Sequence, residues 1–250
     1  MNSTTKEAVR DVNIWNDMGN NFWINRPTRQ RWAIIYVLYP ELYKLLNDCN
    51  YSSILDYGCG DGNLCEFLLS KNIDCKLHAY DPSASMLTLA ANTIGEKHVL
   101  KEMTDQSYDV IFLNMVLQDV DNPRTTLKFL HNILTPQGSI ILSMPHPVFS
   151  LIESRHLTTK REYSKDSKKG VYRYLEQDKE YVYWDSALQN KSVLHNRTIE
   201  TYAKYFKNSG FSIADISEPR PLSAGKAEKD LYDIYNELPG FMIFRLQKKI

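Results

Sequence analysis

Three glycines at alternating positions follow an acidic residue early in the chain, in the run Asp56-Tyr-Gly58-Cys-Gly60-Asp-Gly62. A short apolar stretch precedes this run. The pattern is typical of a strand that passes through a tight turn into a helix, where residues without side chains let the backbone approach a ligand. We therefore predict that the turn binds a ligand that contains a nucleoside.

A second acidic residue, Asp81, stands where the next predicted strand ends. A carboxylate at this place can accept charge-assisted hydrogen bonds from both hydroxyls of a ribose. Dehydrogenases that bind dinucleotides share these two features. However, Asp56 lies two positions before the first glycine, where a pyrophosphate would meet a second negative charge. The residues favour a cationic ligand without phosphate.

Two histidines occupy places where a proton acceptor would be useful. His146 follows a predicted strand over residues 139–144, and His195 ends a long polar and aromatic segment. Imidazole is the side chain that exchanges a proton near neutral pH. We interpret both histidines as candidate catalytic residues, with a structural hydrogen-bonding role as the alternative.

The roles of several aromatic and basic side chains each have two possible interpretations. Arg29 and Arg31 would meet a ligand carboxylate or stay solvated on the surface. Four aromatic residues would wall an apolar substrate pocket or simply pack a hairpin, namely Tyr163, Tyr172, Tyr183 and Trp184.

The elements that must position these residues alternate between strand and helix from Ser52 onward, which implies right-handed crossovers and a mostly parallel sheet. The link over residues 102–107 is too short for a crossover helix. The predicted fold class is α/β: a Rossmann-like, doubly wound, mostly parallel seven-stranded sheet with an antiparallel C-terminal edge strand, an N-terminal helical lid and a β-rich insertion. Strands are predicted at residues 53–56, 75–80, 98–101, 108–114, 139–144, 211–217 and 240–246, with a turn at 136–138.

The chain is predicted to form a single domain over residues 1–250. Residues 1–49 form an N-terminal helical segment that would either close over a ligand as a lid or simply pack onto the body of the protein, and Pro40 should kink or divide its helix. Residues 146–195 form an insertion over the carboxyl edge of the sheet. Alternating aromatic residues predict a pair of strands between Val171 and Trp184.

Composition excludes some classes of partner. Thirty basic and thirty acidic residues cancel, so no overall field attracts nucleic acid or an anionic membrane, although a basic run from Arg155 to Arg173 leaves RNA open as an alternative. No apolar stretch approaches about 18 residues and no signal peptide begins the sequence, so we expect a cytoplasmic protein. Four cysteines without a Cys-x-x-Cys pair indicate reduced thiols, and no metal site is predicted.

Ordered motifs over about residues 50–145 together resemble the class I S-adenosylmethionine-dependent methyltransferases. They are the glycine run with Asp56, the acid Asp81, the segment Tyr108-Asp-Val-Ile-Phe-Leu-Asn-Met-Val-Leu with Asp121-Asn-Pro123, and Leu134-Thr-Pro-Gln-Gly138. A looser similarity to a bacterial small-molecule subgroup of the family rests on Met144-Pro-His-Pro-Val-Phe149, His195-Asn-Arg197-Thr-Ile-Glu-Thr-Tyr, Gly210-Phe, Glu218-Pro-Arg-Pro221 and Pro239-Gly-Phe-Met-Ile-Phe.

The resemblance implies S-adenosylmethionine as the cofactor. Its methionine part would lie on the glycine turn, its ribose on Asp81, and its adenine near Met103. Asn114 and Met115 would line the junction between cofactor and substrate. The predicted cofactor-binding residues are Asp56, Tyr57, Gly58, Gly60, Asp81, Pro82, Met86, Met103, Asn114 and Met115.

The implied reaction is in-line transfer of a methyl group to O or N of a small aromatic or heterocyclic metabolite, for which alignment supplies much of the rate. Methylation of RNA is one alternative, and a non-catalytic protein that binds S-adenosylmethionine or a partner is another. We expect a small-molecule substrate without membrane or nucleic-acid partners. A homodimer is left open.

Overall fold

The computed structural model describes residues 12–19, 31–147, 161–162, 174–175, 179–183 and 191–249. Its strands form two sheets. In chain order they are β1 (Ser53–Tyr57), β2 (Lys76–Tyr80), β3 (Tyr108–Asn114), β4 (Leu134–Pro145), β5 (Arg161–Glu162), β6 (Lys179–Tyr183), β7 (Lys191–His195), β8 (Phe211–Ser217) and β9 (Phe241–Lys248).

Helices connect most of these strands. They are α1 (residues 12–19), α2 (Tyr39–Asn47), α3 (Asn63–Leu69), α4 (Ala84–Ile94), α5 (Pro123–Ile133), α6 (Ile199–Asn208) and α7 (Lys229–Glu237). Three of them begin where the sequence places a short polar side chain. Ser83, Asn122 and Thr198 each accept a hydrogen bond from the backbone N–H three residues ahead, which satisfies a free donor at the helix start.

The larger sheet has the strand order β2-β1-β3-β4-β9-β8. Strands β1 to β4 pair in parallel, whereas β9 pairs antiparallel with both β4 and β8. The chain leaves β1 towards β2 and returns on the other side as β3, so strand order reverses at β1. The Rossmann-like α/β fold class is confirmed, and open sheets of this kind bind ligands beyond the carboxyl ends of the strands at such a reversal.

Apolar residues on the two faces of this sheet form two hydrophobic clusters. Strand β3 shows the alternation, because Val110 and Phe112 join one cluster while Ile111 and Leu113 join the other. Helices α2, α3 and α4 cover the first face, and α5 and α6 cover the second. The sheet is therefore buried on both faces. The carboxyl ends of its strands remain as the place where a site can form.

The predicted strand at residues 98–101 is reduced to one parallel bridge between Ala79 and Val99. The larger sheet therefore has six paired strands among the described residues rather than seven. The chain makes a 3-10 turn at Glu96–His98 and one further bond from Leu100 N–H to the Ala79 carbonyl before it leaves. The short link that follows offers no helix to hold a strand in place.

The predicted turn at residues 136–138 lies instead inside β4, which begins at Leu134 directly after α5. A shift in register between Tyr108 and Val110 on β3 accommodates the extra residues. Gly138 permits this packing, since a Cβ there would lie 2.8 Å from the carbonyl oxygen of Asp109.

The helix that contains Pro40 departs from regular α-helical geometry just before the proline. A π-helical turn at Ile34–Leu38 runs directly into α2. Because proline has no N–H and clashes with the carbonyl four residues earlier, the carbonyl of Tyr36 is left without its usual helical donor. The backbone N–H of Leu222 donates to that carbonyl at 2.8 Å, which ties the C-terminal region to this helix.

The insertion is β-rich, as predicted, but its strands are placed differently. Strand β6 falls within the predicted pair of strands, whereas its partners β5 and β7 lie before and after that stretch. Within the residues described, no helix is both long and apolar enough to cross a membrane.

Candidate active site

The three glycines after β1 share a backbone conformation but differ in their surroundings. All three adopt left-handed backbone, with φ of 79° at Gly58, 55° at Gly60 and 80° at Gly62. A Cβ at Gly58 would lie 2.6 Å from the side chain of Val116, and one at Gly62 would lie 3.2 Å from the Cα of Ala90. At Gly60, by contrast, no atom of the described residues lies within 4 Å of such a Cβ. The bare backbone at Gly60 is thus the part of the turn that a ligand can approach.

Asp81 is bonded directly to this turn. The backbone N–H of Gly60 donates to its Oδ2 at 2.9 Å, and that of Ser83 donates to its Oδ1 at 2.8 Å. Burial raises the pKa of Asp81 to about 6, while the two backbone bonds oppose the rise. Each carboxylate oxygen has a further lone pair, so Asp81 can still accept hydrogen bonds from a ribose.

Asp56 lies beneath the same turn and is 1% exposed. Its Oδ2 accepts a bond from the thiol of Cys65 at 3.4 Å, whereas its Oδ1 has no hydrogen-bond partner in the described part of the chain. The pKa of Asp56 is raised to about 7, chiefly by burial and also by the nearby charges of Asp81 and Asp61, against the thiol bond of Cys65, which lowers it. An unsatisfied buried acceptor is unfavourable by about 1–3 kcal/mol, which a cationic ligand at the turn would offset.

The N-terminal segment contacts both ends of this region. Asn16 on α1 accepts hydrogen bonds at its Oδ1 from the hydroxyl of Ser83 at 2.8 Å and from the N–H of Ser85 at 3.3 Å. Near the start of the second helical stretch, Arg31 donates to Oδ1 of Asn63 at 2.6 Å, directly after the glycine turn. The segment predicted to act as a lid therefore lies against the turn, and its movement stays a prediction.

Asn114 ends β3 next to β4, and Met115 follows it. The backbone of Met115 is left-handed, with φ of 59°, which is rare for a residue with a long side chain. Its N–H donates to the carbonyl and the hydroxyl of Ser143, and that hydroxyl donates to Oδ1 of Asn114 at 2.9 Å. Strained backbone of this kind persists where the surrounding structure holds it, which occurs often at ligand sites.

The loop after Met115 is held by residues from the end of the insertion. The guanidinium of Arg197 donates to the carbonyls of Leu117, Val120 and Asp121 at 2.7–3.0 Å. We did not predict this role for Arg197, although it lies in a motif that carried the looser resemblance. A single arginine in a sequence gives no signal that its partners are backbone carbonyls 76 to 80 positions away.

Each candidate catalytic histidine lies near a carboxylate. His146 is 4% exposed, and its Nε2 lies 2.7 Å from Oε1 of Glu218. His195 is 6% exposed, and its Nδ1 lies 3.9 Å from Oδ1 of Asp121. The backbone N–H of His195 also donates to the carbonyl of Gln118 at 2.7 Å, which places His195 beside the loop that follows β3.

The other predicted cofactor-binding residues are spread around the turn. The ring of Tyr57 lies 5.4 Å from that of Tyr80, and burial raises the pKa of Tyr57 to about 12. Pro82 is exposed, Met86 is buried in the first turn of α4, and Met103 is half-buried against the second cluster. The side chains of Arg29, Tyr163, Tyr172, Tyr183 and Trp184 lie outside the described residues.

Comparison with known proteins links this arrangement to methyl transfer. A family model described as a methyltransferase domain matches residues 32–216. A malonyl-[acyl-carrier protein] O-methyltransferase from Halalkalibacterium halodurans is 26% identical over an alignment of 201 positions, and the match covers 72% of this chain and 74% of that protein.

Two solved structures share the fold. An S-adenosylmethionine-dependent methyltransferase from Mesorhizobium loti aligns with a TM-score of 0.63 at 20% identity, over 84% of this chain and 96% of its own. A glycopeptide N-methyltransferase in complex with S-adenosyl-L-methionine aligns with a TM-score of 0.57 at 11% identity, over 84% and 94% of the two chains.

Proposed function

This chain belongs to the class I S-adenosylmethionine-dependent methyltransferases, and on this premise we propose that it methylates O or N of a small aromatic or heterocyclic metabolite. The observation that carries the proposal is a buried imidazole, that of His146, in hydrogen-bond contact with a carboxylate at the carboxyl edge of the sheet. A base is needed there if the acceptor is a hydroxyl or a protonated amine, which must lose a proton on methylation.

The residues around the glycine turn fit the cofactor. When bound, S-adenosylmethionine supplies a methyl group on a positively charged sulfur, together with an amino-acid end that carries an ammonium group. In this proposal Asp56, with its unsatisfied oxygen, and the open backbone at Gly60 hold the cationic end. Asp81 accepts hydrogen bonds from the ribose. The remaining contacts come from Tyr57, Gly58, Pro82, Met86, Met103, Asn114 and Met115.

Arg31 adds a contact at the amino-acid end. Its guanidinium is held against Asn63, the first residue after the glycine turn, by a bond of 2.6 Å. A planar guanidinium binds carboxylates well because it offers paired donors. In this proposal Arg31 meets the cofactor carboxylate while Asp56 faces the ammonium group, so the two charges of the amino acid are matched.

An aromatic acceptor is supported by rings near His146. The N–H of His146 donates to the carbonyl of Gly240 at 3.0 Å, and Gly240 packs directly against the ring of Tyr235. That ring stacks on Phe241 with centroids 6.2 Å apart. The malonyl-[acyl-carrier protein] O-methyltransferase from Halalkalibacterium halodurans supports oxygen as the atom that is methylated.

The alternatives differ in their support. The basic run behind RNA methylation, between Arg155 and Arg173, lies mostly outside the described residues, and RNA methylation stays an untested prediction. The comparisons favour an enzyme over the non-catalytic alternative, because the chain belongs to a methyltransferase family and the relative from Halalkalibacterium halodurans is a methyltransferase.

Metabolite profiling tests the proposal directly. The full-length protein is incubated with S-adenosylmethionine that carries a labelled methyl group and with the small-molecule fraction of a cell extract. Mass spectrometry should then find one or a few products that gain a single methyl group, whereas boiled protein gives none. A parallel incubation with the RNA fraction of the same extract that gains label, while the small molecules gain none, would contradict the proposal.

A further inference from the structure

A buried side-chain amide in the loop after β3 has one polar atom that is unsatisfied. Gln118 is 6% exposed, and its Oε1 has no hydrogen-bond partner in the described part of the chain. A buried acceptor without a donor is unfavourable, and a donor on a bound ligand would remove this cost. Building on the proposed function, we infer that Gln118 is a substrate-binding residue whose Oε1 accepts a hydrogen bond from an O–H or N–H group of the methyl acceptor.

The amide nitrogen of Gln118 fixes the direction in which the side chain faces. Nε2 donates to the carbonyl of Met115 at 2.5 Å and to Oδ2 of Asp119 at 3.3 Å. A carbonyl and an ionised carboxylate only accept, so the nitrogen rather than the oxygen must face them, an assignment inferred from the bonding partners. Because both amide atoms are bonded to one carbon, Oε1 also lies beside the end of β3.

The residue to which this amide is bonded follows β3 in left-handed backbone, with φ of 59° at Met115. The N–H of Met115 donates to the carbonyl and the hydroxyl of Ser143, and its own carbonyl accepts from Gln118. Met115 is thus held on both sides. Gln118 cannot turn its oxygen to another partner without losing the bond to Met115, so Oε1 is oriented before a substrate arrives.

The loop that contains Gln118 lies between the glycine turn and the insertion. Val116 packs against the turn, because a Cβ at Gly58 would lie 2.6 Å from its side chain. The carbonyl of Gln118 instead accepts from the backbone N–H of His195, the last residue of β7. Gln118 is therefore on the part of the loop that contacts the insertion, whereas Val116 contacts the turn that would hold the cofactor. This placement favours the substrate over the cofactor as the donor.

This contact restricts the class of substrate. An amide oxygen accepts and cannot donate, so the group that meets Oε1 of Gln118 must carry hydrogen on oxygen or nitrogen. An ether or a carboxylate at the same place would leave Oε1 unpaired, and sites built around a hydrogen bond discriminate strongly against analogues that lack the donor. The inferred substrate is a metabolite that carries a hydroxyl or an N–H group. Gln118 binds this group and takes no proton from it.

Two substitutions of Gln118 in the full-length protein separate the oxygen from the nitrogen. Gln118→Glu keeps an acceptor oxygen at this place but removes the donor to Met115, whereas Gln118→Met keeps the length of the side chain and removes both. Gln247→Met is the matched control, because the amide of Gln247 lies at the opposite ends of the strands, where its Nε2 is 3.5 Å from the hydroxyl oxygen of Ser139.

NMR of the side-chain amides gives the first readout. With S-adenosylhomocysteine bound, the Gln118 signals are identified as the pair that is missing from the spectrum of Gln118→Met. These signals should shift when the small-molecule fraction of the cell extract is added to the wild-type protein, because the donor on the substrate polarises the amide. An unshifted pair would overturn the inference and would mean that Oε1 does not meet the substrate.

Transfer of labelled methyl over a dilution series of the same fraction gives the second readout. The amount of extract that gives half the maximal rate should rise at least about tenfold in Gln118→Met, as expected for a lost hydrogen bond in a buried site, but only about threefold or less in Gln118→Glu. Transfer by Gln247→Met and the calorimetric affinity of every variant for S-adenosylhomocysteine should stay within about twofold of the wild type.

Wild-type half-saturation in Gln118→Met would overturn the inference. Equal losses in Gln118→Glu and Gln118→Met would overturn it too, since a merely structural role through the bond to Met115 gives that result. A matching loss of affinity for S-adenosylhomocysteine would overturn it because the cofactor would then be the partner of Oε1. Failure of the wild-type protein to label any small molecule would contradict the proposed function instead, and the amide spectra would still decide the role of Gln118.

Discussion

At the scale of single residues, two buried carboxyl groups under the glycine turn have different partners. Asp81 accepts backbone N–H bonds from Gly60 and Ser83, whereas the bond described for Asp56 comes from the weakly donating thiol of Cys65. Burial raises the pKa of both groups, to about 6 for Asp81 and about 7 for Asp56. Asp56 is therefore the carboxyl group whose ionised form would gain most from a cation at the turn.

The stability of the protein should depend on pH through Asp56. Its carboxyl group ionises near 3.8 in the unfolded chain but stays protonated up to about pH 7 in the folded protein. The folded state binds more protons between these limits, so the free energy of unfolding should fall as pH rises through this window and level off above it. Asp56→Asn should reduce that fall by roughly 1–3 kcal/mol, measured by urea unfolding at about pH 5 and pH 7.

Asp81 contributes a fall of the same sign, so Asp56→Asn should leave a smaller slope rather than none. Asp109→Asn is a suitable comparison, because the pKa of Asp109 is lowered by its hydrogen bonds to Ser52, Ser53 and Thr135 despite partial burial. Asp109 therefore stabilises the folded protein above the ordinary pKa of its carboxyl group, and this stabilisation is lost on acidification. A slope that Asp56→Asn leaves unchanged would show that Asp56 is ionised in the folded protein.

Asp81→Asn should weaken binding of S-adenosylhomocysteine by at least about tenfold, since a lost charged hydrogen bond is worth about 1.5 kcal/mol or more. Isothermal calorimetry measures this affinity. Asp109→Asn again serves as the control, because Asp109 accepts bonds from Ser52 and Ser53 at the opposite ends of the strands. Unchanged affinity in Asp81→Asn would argue against a ribose at this position.

At the scale of elements, the five-residue turn between β1 and α3 contains both tightly packed backbone and open backbone that a ligand could approach. Gly58 leaves room for Val116 and Gly62 leaves room for α4, whereas the space beside Gly60 is open among the described residues. The glycine pattern alone predicts the turn, but it cannot say which glycine a ligand approaches. That distinction comes from neighbours 28 and 58 positions away along the chain, at Ala90 and Val116.

Two matched substitutions should separate these roles. Gly60→Ala introduces a side chain into open space on left-handed backbone, so the free energy of unfolding should fall by only about 1 kcal/mol. Its methyl group would occupy ligand space, and calorimetry should show at least about tenfold weaker binding of S-adenosylhomocysteine. Gly62→Ala should destabilise the fold by about 2–3 kcal/mol, because α4 must move away from the new Cβ.

Thermal and urea unfolding of both variants check the stability side of this contrast. Gly60→Ala should lose more affinity for S-adenosylhomocysteine than Gly62→Ala, whereas Gly62→Ala should lose more free energy of unfolding than Gly60→Ala. Equal affinity of Gly60→Ala and the wild type would mean that the ligand does not approach the turn at this residue.

Much of the central sheet could be predicted from local patterns in the sequence. The strand at residues 108–114 was predicted with the bounds it has, because an apolar run between turn signals specifies a buried strand. The prediction of a strand at residues 98–101 is wrong, since only Val99 forms a bridge to another strand. The insertion strands also shifted, because antiparallel pairing depends on which distant segment is adjacent and not on local alternation alone.

The site was predicted less completely, for a related reason. The glycines and the acid Asp81 have local signatures in the sequence, which is why they can be predicted as ligand-binding residues. His146 and Glu218, which are in contact, lie 72 positions apart in the sequence. Arg197 lies 76 to 80 positions from the carbonyls that it bonds in the loop after β3. Contacts of this range arise from strand order, which no short motif in the sequence encodes.

At the scale of the whole molecule, the N-terminal helix α1 is bonded to the part of the site that would hold the ribose. Asn16 bonds Ser83 and Ser85, and Ser83 in turn donates its N–H to Asp81. Gly19 permits this approach, since a Cβ there would lie 2.5 Å from the hydroxyl of Ser85. Binding at Asp81 and docking of α1 should therefore favour each other, because both depend on the same turn before α4.

Hydrogen exchange tests this coupling. Asn16→Ala removes the acceptor for the Ser83 hydroxyl and the Ser85 N–H, so exchange in residues 12–19 should become roughly tenfold faster, in line with about 1 kcal/mol per lost bond. Dissociation of S-adenosylhomocysteine, followed by stopped-flow fluorescence, should become faster as well.

Asn122→Ala is the matched control, because Asn122 caps α5 through a similar bond to Thr125 N–H at 3.4 Å. It should destabilise α5 without changing exchange in α1. In the wild-type protein, bound S-adenosylhomocysteine should slow exchange in residues 12–19, since a segment that closes over the cofactor opens less often when the cofactor is present. Exchange there that is indifferent to the ligand would mean that α1 packs on the turn as a fixed structural element and does not act as a lid.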